Sequence, residues 1–377
     1  MSKLAAKLNE RGVETIIILP ENGPFVGPGD GEPILKKNNQ KYYLIPAETW
    51  IVPVWADETI VIRMGRWLRR YRNFKAARML ADILKREKVD IVHINTSYSY
   101  VGLYAARMCR IPVVWHIREF LEEDQEVRIW DKKWGYRVMR KADRVVAISN
   151  SIYNKYSKIL NPERMRVIFN GIDDADFYRP DRRVLQDDVV RLVYAGGISE
   201  KKGVYELLDA CEMINGQGYK DRYTLVIVGR GNEESEKRLH EKLENPLLDN
   251  VSYIGYQSDM AAVYEMGDVN VVTSRSEAFG RVTVESMMSG NLCLGADAAG
   301  TTELIKDGET GFLYACGDAG DMSEKLKYIM DNRERCAAIA KKGQEYMKFN
   351  MTADINADNV YKLYCELMGE KKVGNGK

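Results

Sequence analysis

The sequence predicts an α/β protein made of two doubly wound, parallel-sheet units, and three observations carry that prediction. Short runs of Val, Ile and Leu alternate with helical stretches along the whole chain. The alternation occurs once in each half, and 377 residues exceed what one hydrophobic core commonly organises. Between the halves, IDDADFYRPD (172–181) replaces periodic apolar residues with Asp, Pro and Tyr, which marks a link. The expected units are 1–170 and 171–354, with a C-terminal helix at about 355–377 packing back on the first.

In the first half, ETIIILP, DIVHINTS, IPVVWHI, DRVVAIS and MRVIFNG read as strands. Their unbroken β-branched content suits parallel strands covered on both faces. LAAKLNERG, ending on a C-cap glycine, and FKAARMLADILKREK read as helices. The second half supplies the strands RLVYAGG, YTLVIVGRG, VSYIGY, DVNVVTS and LCLGAD, each followed by a helical pattern. In open parallel sheets, ligands sit beyond the carboxyl ends of the strands, so the segments that follow these runs are where chemistry is expected.

Composition narrows the class. No apolar run reaches membrane-span length, and no charged-then-apolar leader precedes a small-residue cleavage site. The six cysteines are scattered without a Cys-x-x-Cys pair, which fits reduced thiols in a cytosol. Three dispersed histidines argue against a metal cluster. The near-neutral net charge conceals an asymmetry: residues 1–180 hold 31 Lys and Arg against 22 Asp and Glu, and the remainder 25 against 33. The basic half therefore needs a partner to face.

Four strand-end segments stand out in the second half. SRSEAFGRVTVES (274–286) places Glu277 and Glu285 around a Phe279-Gly280 step, with a helix expected from Arg281 to Gly290. Backbone amides of Phe279, Gly280, Arg281 and Val282, beside Ala278, would form an anion site at that helix start. Two acids near a helix N-terminus are also simply favourable to its dipole. Gly196-Gly197 and Lys201-Lys202-Gly203 follow the first strand, where a lysine could neutralise a diphosphate or merely be solvated. VIVGRGNEE brings Gly229 and Gly231, and GADAAGTTELIKDG opens a further helix at Gly300.

Taken together, the run from Tyr194 to Tyr314 resembles the family 4 (group 1) retaining glycosyltransferases, which have the GT-B fold: two Rossmann-like domains facing across a cleft. The Glu-x7-Glu element Glu277-Ala-Phe-Gly-Arg-Val-Thr-Val-Glu285 carries the resemblance, with the Lys-Gly after the first strand and the Thr-Glu-Leu-Ile element. VIFNGID, ADRVVAISNS and DIVHINTS extend it over nearly the whole chain. The resemblance implies transfer of a sugar from a nucleotide-sugar, UDP favoured over GDP, to a cell-surface glycan or lipid-linked acceptor. It implies no metal and no cofactor beyond that co-substrate. Glu285 would hold the ribose hydroxyls, Glu277 the hydroxyls of the sugar, and Lys202 the diphosphate. His116, at the end of IPVVWHI, would face the sugar from the first domain, with Arg118 and Glu119 toward the acceptor. His116, Glu277 and Lys202 are thus the expected catalytic residues. The expected donor-binding set is Gly196, Gly197, Lys202, Gly229, Glu277, Ala278, Phe279, Gly280, Arg281, Val282 and Glu285.

The chain departs from the family pattern in two places. Gly197 stands where an arginine usually contacts the diphosphate, so either Lys201 or Arg230 substitutes for it or diphosphate binding is weaker. MSKLAAKLNERG begins as a helix where relatives first have a strand and a glycine-rich loop, so the first domain is expected to lack its N-terminal strand. A non-catalytic nucleotide-binding scaffold, or a truncated inactive form, is the alternative these departures raise; a GT-B epimerase or phosphorylase would want acid-base groups or a phosphate site not evident here. Asp174-Ala175-Asp176 spells the Asp-x-Asp metal motif of another glycosyltransferase fold, but lies in the link and is read as coincidence. Finally, RMGRWLRRYRNFKAARML (63–80) interleaves arginines with Trp67, Leu68, Tyr71, Phe74 and Met79. Either the aromatics pack inward, or the helix lies on an anionic membrane surface as the inner-face partner of a cytoplasmic protein. No nucleic-acid module is present.

Overall fold

The computed structural model describes residues 2–21, 40–56 and 60–374. The chain divides into two units, Met1–Phe169 with Ala353–Lys377, and Asn170–Thr352.

In the first unit, strands β1 (Ile17–Pro20), β2 (Tyr42–Ile45), β3 (Ile51–Pro53), β4 (Val92–Ile94), β5 (Val113–Ile117), β6 (Val127–Ile129), β7 (Arg144–Ala147) and β8 (Met165–Val167) form three sheets. The central one is parallel, in the order β4-β5-β7-β8. β5 is buried along its entire length, as its unbroken apolar sequence requires. The run ETIIILP does not join that sheet: β1 pairs in parallel with β2 instead. β3 and β6 form a small antiparallel pair. These three-residue strands carry too little periodicity to be seen in the sequence.

The C-terminal helix Ala353–Gly374 lies in this first unit. Val360, Leu363 and Leu367 join Leu8, Val114, Val146 and Ile168 in one buried cluster. Arg11 reaches Asp354 and Asp358 across the same contact.

The second unit is a single parallel sheet of β9 (Val190–Ala195), β10 (Tyr223–Val228), β11 (Val251–Tyr253), β12 (Val269–Val272), β13 (Leu292–Ala296) and β14 (Phe312–Tyr314). Their order is β11-β10-β9-β12-β13-β14. The chain winds outward from β9 to β11, then returns to β12 beside β9 and winds the other way. Such a reversal opens a crevice between the loops that leave the two central strands, here β9 and β12. The sheet's core is the alternating apolar set Leu192, Tyr194, Leu225, Ile227, Val269, Val271, Leu292 and Leu294.

One buried carboxylate pins this sheet at its amino-terminal edge. Asp268, with a side chain 2% exposed, accepts from the Leu185 and Arg191 amides and from Nε and Nη2 of Arg191. Burial alone would raise its pKa, but these donors outweigh it, so the carboxyl titrates below its ordinary 3.8. A lowered folded-state pKa gives stability that is complete above the unfolded pKa and lost as pH falls through the folded one. Asp268→Ala should therefore destabilise the protein by about 2–3 kcal/mol near neutral pH, by orphaning two amides and a guanidinium. Calorimetric scans should show that difference narrowing below about pH 4.

Candidate active site

The loops leaving β9 and β12 are tied to each other before any ligand is considered. After β9, Tyr194 extends its hydroxyl to the Gly197 carbonyl at 2.7 Å, and Ile198 N–H donates to the Arg230 carbonyl at 3.0 Å. The chain then turns through Ser199–Gly203 and enters the helix Val204–Gly216 at Gly203, whose φ is +71°. A Cβ on Gly203 would lie 2.4 Å from the Thr273 carbonyl, so only glycine permits this approach to the end of β12. Thr273 Oγ1 donates to the Lys202 carbonyl at 2.5 Å, and the Arg275 amide reaches the Lys201 carbonyl at 3.3 Å.

These contacts deliver Lys202 to Glu277. Nζ lies 2.8 Å from Glu277 Oε1, and both side chains are partly exposed, at 29% and 24%. A solvent-accessible pair of this kind contributes little to stability. Its interest is positional: an ammonium and a carboxylate meet at the place where the strand order reverses. The turn behind Glu277 is packed rigidly. Ala278, Phe279 and Gly280 are buried, and Gly300 N–H donates to the Glu277 carbonyl at 2.9 Å. A side chain on Gly300 would meet the Glu277 and Phe279 carbonyls within 3 Å.

Gly280, with φ +95°, caps the helix Arg281–Met288 without a side-chain bond. The first-turn amides of Arg281 and Val282 thus follow a helix start that no side chain closes, the arrangement that suits an anion. Glu285 lies one turn inside this helix and is almost fully buried. Its Oε1 accepts from Arg281 Nε at 3.0 Å and Nη2 at 2.5 Å, and its Oε2 from the Tyr264 hydroxyl at 3.2 Å. Among the described residues, Glu277 and Glu285 share no partner: one holds a lysine, the other an arginine and a tyrosine. Because Arg281 is 69% exposed, that arginine is the more readily displaced of Glu285's two partners.

Among the remaining glycines, Gly229 is required and Gly197 is not. Gly229 has φ +149°, and a Cβ there would lie 1.7 Å from the Gly196 carbonyl. At Gly197 a Cβ would meet only Lys202 Cγ at 3.7 Å and the Arg230 carbonyl at 3.9 Å, both ordinary contacts. Asp174, of the Asp-x-Asp sequence, begins the short helix Asp174–Phe177 and pairs with Lys348.

In the first unit, His116 is the penultimate residue of β5, at the carboxyl end expected for it, and is fully buried. Its Nδ1 lies 3.0 Å from His93 Nε2, and its own Nε2 has no hydrogen-bond partner among the described residues. Burial, reinforced by the nearby Arg118 guanidinium, pushes its pKa well below the usual imidazole value, so the ring is neutral. Glu119 does not present a free carboxylate. It accepts from Thr96 Oγ1 at 2.7 Å and from the Ser97 and Arg118 amides, fixing the loop after β4, while burial raises its pKa. Arg118 reaches Asn95 Oδ1 at 3.1 Å. The sequence reading missed His93; its position after DIV on the neighbouring strand was the available signal.

The helix Ile60–Arg86 turns Asn73, Ala76, Ala77 and Leu80 inward. Trp67 is 71% exposed, and Leu68, Tyr71, Phe74 and Met79 are exposed beside it. The inward-packing alternative for these aromatics is therefore wrong. Trp67 and Tyr71 stack outside, with Lys75 over Tyr71 and Arg78 over Phe74. Among the described residues, no helix is long and apolar enough to cross a membrane.

Comparison with known proteins decides the family. Residues 180–346 match the Glycosyl transferases group 1 family, and residues 1–176 match Glycosyltransferase Family 4. The chain belongs to the family 4, group 1 glycosyltransferases. This glycosyltransferase is 23% identical over 321 residues to N-acetyl-alpha-D-glucosaminyl L-malate synthase of Bacillus anthracis, covering 80% of each chain. It is 22% identical over 363 residues to the capsular polysaccharide biosynthesis glycosyltransferase CapM of Staphylococcus aureus, covering 90% of this chain and 93% of that one. Among solved structures, Anabaena Alr3699/HepE in complex with UDP superposes with a TM-score of 0.75 at 19% identity, over 93% of this chain and 100% of that one. A Rickettsia africae glycosyltransferase superposes at 0.76 with 18% identity, over 97% and 93%. The fold of this glycosyltransferase is therefore GT-B.

The geometry separates its glycines by experiment. Gly229→Ala should destabilise the second unit by about 2–4 kcal/mol, whereas Gly197→Ala should change stability by less than about 0.5 kcal/mol. Thermal unfolding of the two variants checks both.

Proposed function

We propose that this glycosyltransferase moves a sugar from a UDP-sugar to a glycan or lipid-linked acceptor at a cell surface, with retention at the anomeric carbon and without a metal ion. The observation that carries the reading is Lys202 held 2.8 Å from Glu277 beside the uncapped Gly280 helix start, at the reversal of strand order. In this scheme the diphosphate lies on the amides of Arg281 and Val282 and draws Lys202 toward its oxygens. Glu277, released from the lysine, accepts hydrogen bonds from hydroxyls of the sugar. Glu285 exchanges Arg281 for the ribose hydroxyls and keeps Tyr264. UDP complexes of Alr3699/HepE and the capsular role in the name of CapM support the choices of base and of acceptor class.

The reaction breaks the bond between the anomeric carbon and the β-phosphate oxygen, whose electrons stay on the phosphate. The acceptor hydroxyl attacks the same face of the oxocarbenium-like centre, and its proton passes to the departing phosphate. Fixed charges that stabilise the leaving group lower this barrier most. Lys202 and the helix amides supply that charge here. His116, buried in the first unit, completes the proposed catalytic set.

A panel of UDP- and GDP-sugars tests the scheme. The expected result is turnover with a UDP-sugar, product of unchanged anomeric configuration by NMR, and rates unaltered by EDTA. Lys202→Met should lower kcat/KM by about 100-fold or more. Nucleotide binding without turnover on any donor would favour the non-catalytic scaffold instead.

The exposed aromatic and basic face of the helix Ile60–Arg86 supports a second element of the proposal, peripheral attachment to the inner face of the cytoplasmic membrane. Trp67 and Phe74 would enter the headgroup region while the arginines and lysines meet anionic lipid. Co-sedimentation with phosphatidylglycerol vesicles at low salt should be strong and should fall at least about fivefold in a Trp67→Ala/Phe74→Ala variant. Equal sedimentation of both proteins, or of neither, would remove this element.

A further inference from the structure

Three side chains from distant parts of the sequence form one hydrogen-bonded line in the first unit. The Tyr364 hydroxyl, on the C-terminal helix, lies 2.6 Å from His93 Nδ1. His93 Nε2 lies 3.0 Å from His116 Nδ1. The two imidazoles are tilted by 40° with centroids 5.2 Å apart, and Tyr364 meets His93 edge-on. The line ends at His116 Nε2, which is buried and has no partner among the described residues.

Each contact in this line needs one proton, and the two protons must point the same way. A neutral imidazole donates from one nitrogen and accepts at the other. Both rings are neutral: burial, with Arg118 nearby, lowers the His93 pKa to about 3 and His116 well below its usual value. The first contact fixes the direction. A separation of 2.6 Å lies within the range of O–H donors and below that of N–H···O bonds. Tyr364 is thus the donor to His93 Nδ1. His93 must then carry its proton on Nε2 and donate it to His116 Nδ1. His116 in turn must carry its proton on Nε2.

We infer that Tyr364 and His93 are positioning residues that set the tautomer of His116, so that its buried, unpartnered Nε2 carries the ring proton and its Nδ1 does not. The C-terminal helix, 271 residues along the chain from His93, thereby determines what His116 can do. A role for that tautomer in turnover rests on the function proposed above, whereas the tautomer itself does not, and the test separates the two.

The chain contains three histidines, so ring-15N-labelled protein gives three imidazole spin systems, and His240→Gln identifies the exposed one. In the free wild-type protein, His116 is expected to show a protonated Nε2 and an unprotonated Nδ1. Tyr364→Phe keeps the ring and removes the donor; His116 is then expected to populate the Nδ1–H form. His93→Gln can donate an amide proton to the same nitrogen without consulting residue 364, so it should hold His116 in the Nε2–H form with either Tyr or Phe there. With donor and acceptor present, Tyr364→Phe should lower kcat about fivefold while leaving the donor KM within about twofold. A wild-type His116 protonated on Nδ1, or a tautomer indifferent to Tyr364→Phe, would overturn the inference. If the tautomers behave as stated but no sugar nucleotide is turned over, the functional reading fails and the relay stands.

Discussion

The second unit depends on the close docking of the β9 loop against the end of β12. Gly203 lets the backbone approach the Thr273 carbonyl to a distance that no side chain would allow, and Thr273 returns a hydrogen bond to the Lys202 carbonyl. From that contact the backbone of Lys202 is held at the crevice, and its Nζ meets Glu277, on the loop from β12, at 2.8 Å. The ion pair itself is a weak stabiliser because both groups reach solvent. Weakness serves the proposed function, in which an arriving diphosphate would compete with a solvent-accessible carboxylate rather than with a buried network. The same logic holds for Glu285, where an exposed arginine and a buried tyrosine share the carboxylate.

Much of this was legible in the sequence because glycine and apolar periodicity are local signals. The strands of the second sheet from β9 to β13 were readable, and so was the helix start after Gly280, since a buried parallel strand must be apolar throughout and a helix must begin somewhere. β14 was missed because three residues of GFLY give no period to measure. Glu277 and Glu285 were identified as a pair, but their separate partners were not, because Lys202 and Tyr264 come from other elements. Lys202 was legible as a strand-end lysine; that Thr273 and Gly203 fix it was not.

The first unit was read less well, for a different reason. His116 was found from its strand, but its environment comes from β4 and from a helix near the far end of the chain. No local pattern connects Tyr364 to His93. Likewise the choice between an inward and an outward aromatic face on Ile60–Arg86 turned on Asn73, Ala76 and Ala77, small inward residues that a hydrophobic count undervalues. Arg72 and Arg69 pair with Glu48, and Arg70 stacks on Trp134, so part of the basic excess of residues 1–180 is compensated within the unit. The outward Lys75 and Arg78 stack on Tyr71 and Phe74 and keep their charge beside exposed rings.

The claim beneath all of this is that Glu277 and a nucleotide diphosphate compete for one ammonium group. A double-substitution cycle on UDP affinity, measured by titration calorimetry with Lys202→Met, Glu277→Gln and both together, addresses it directly. Competition predicts strong coupling: Glu277→Gln alone binds UDP at least as tightly as the parent, and adding it to Lys202→Met brings no further gain. Independent, additive effects of the two substitutions, or UDP affinity indifferent to Lys202, would contradict it.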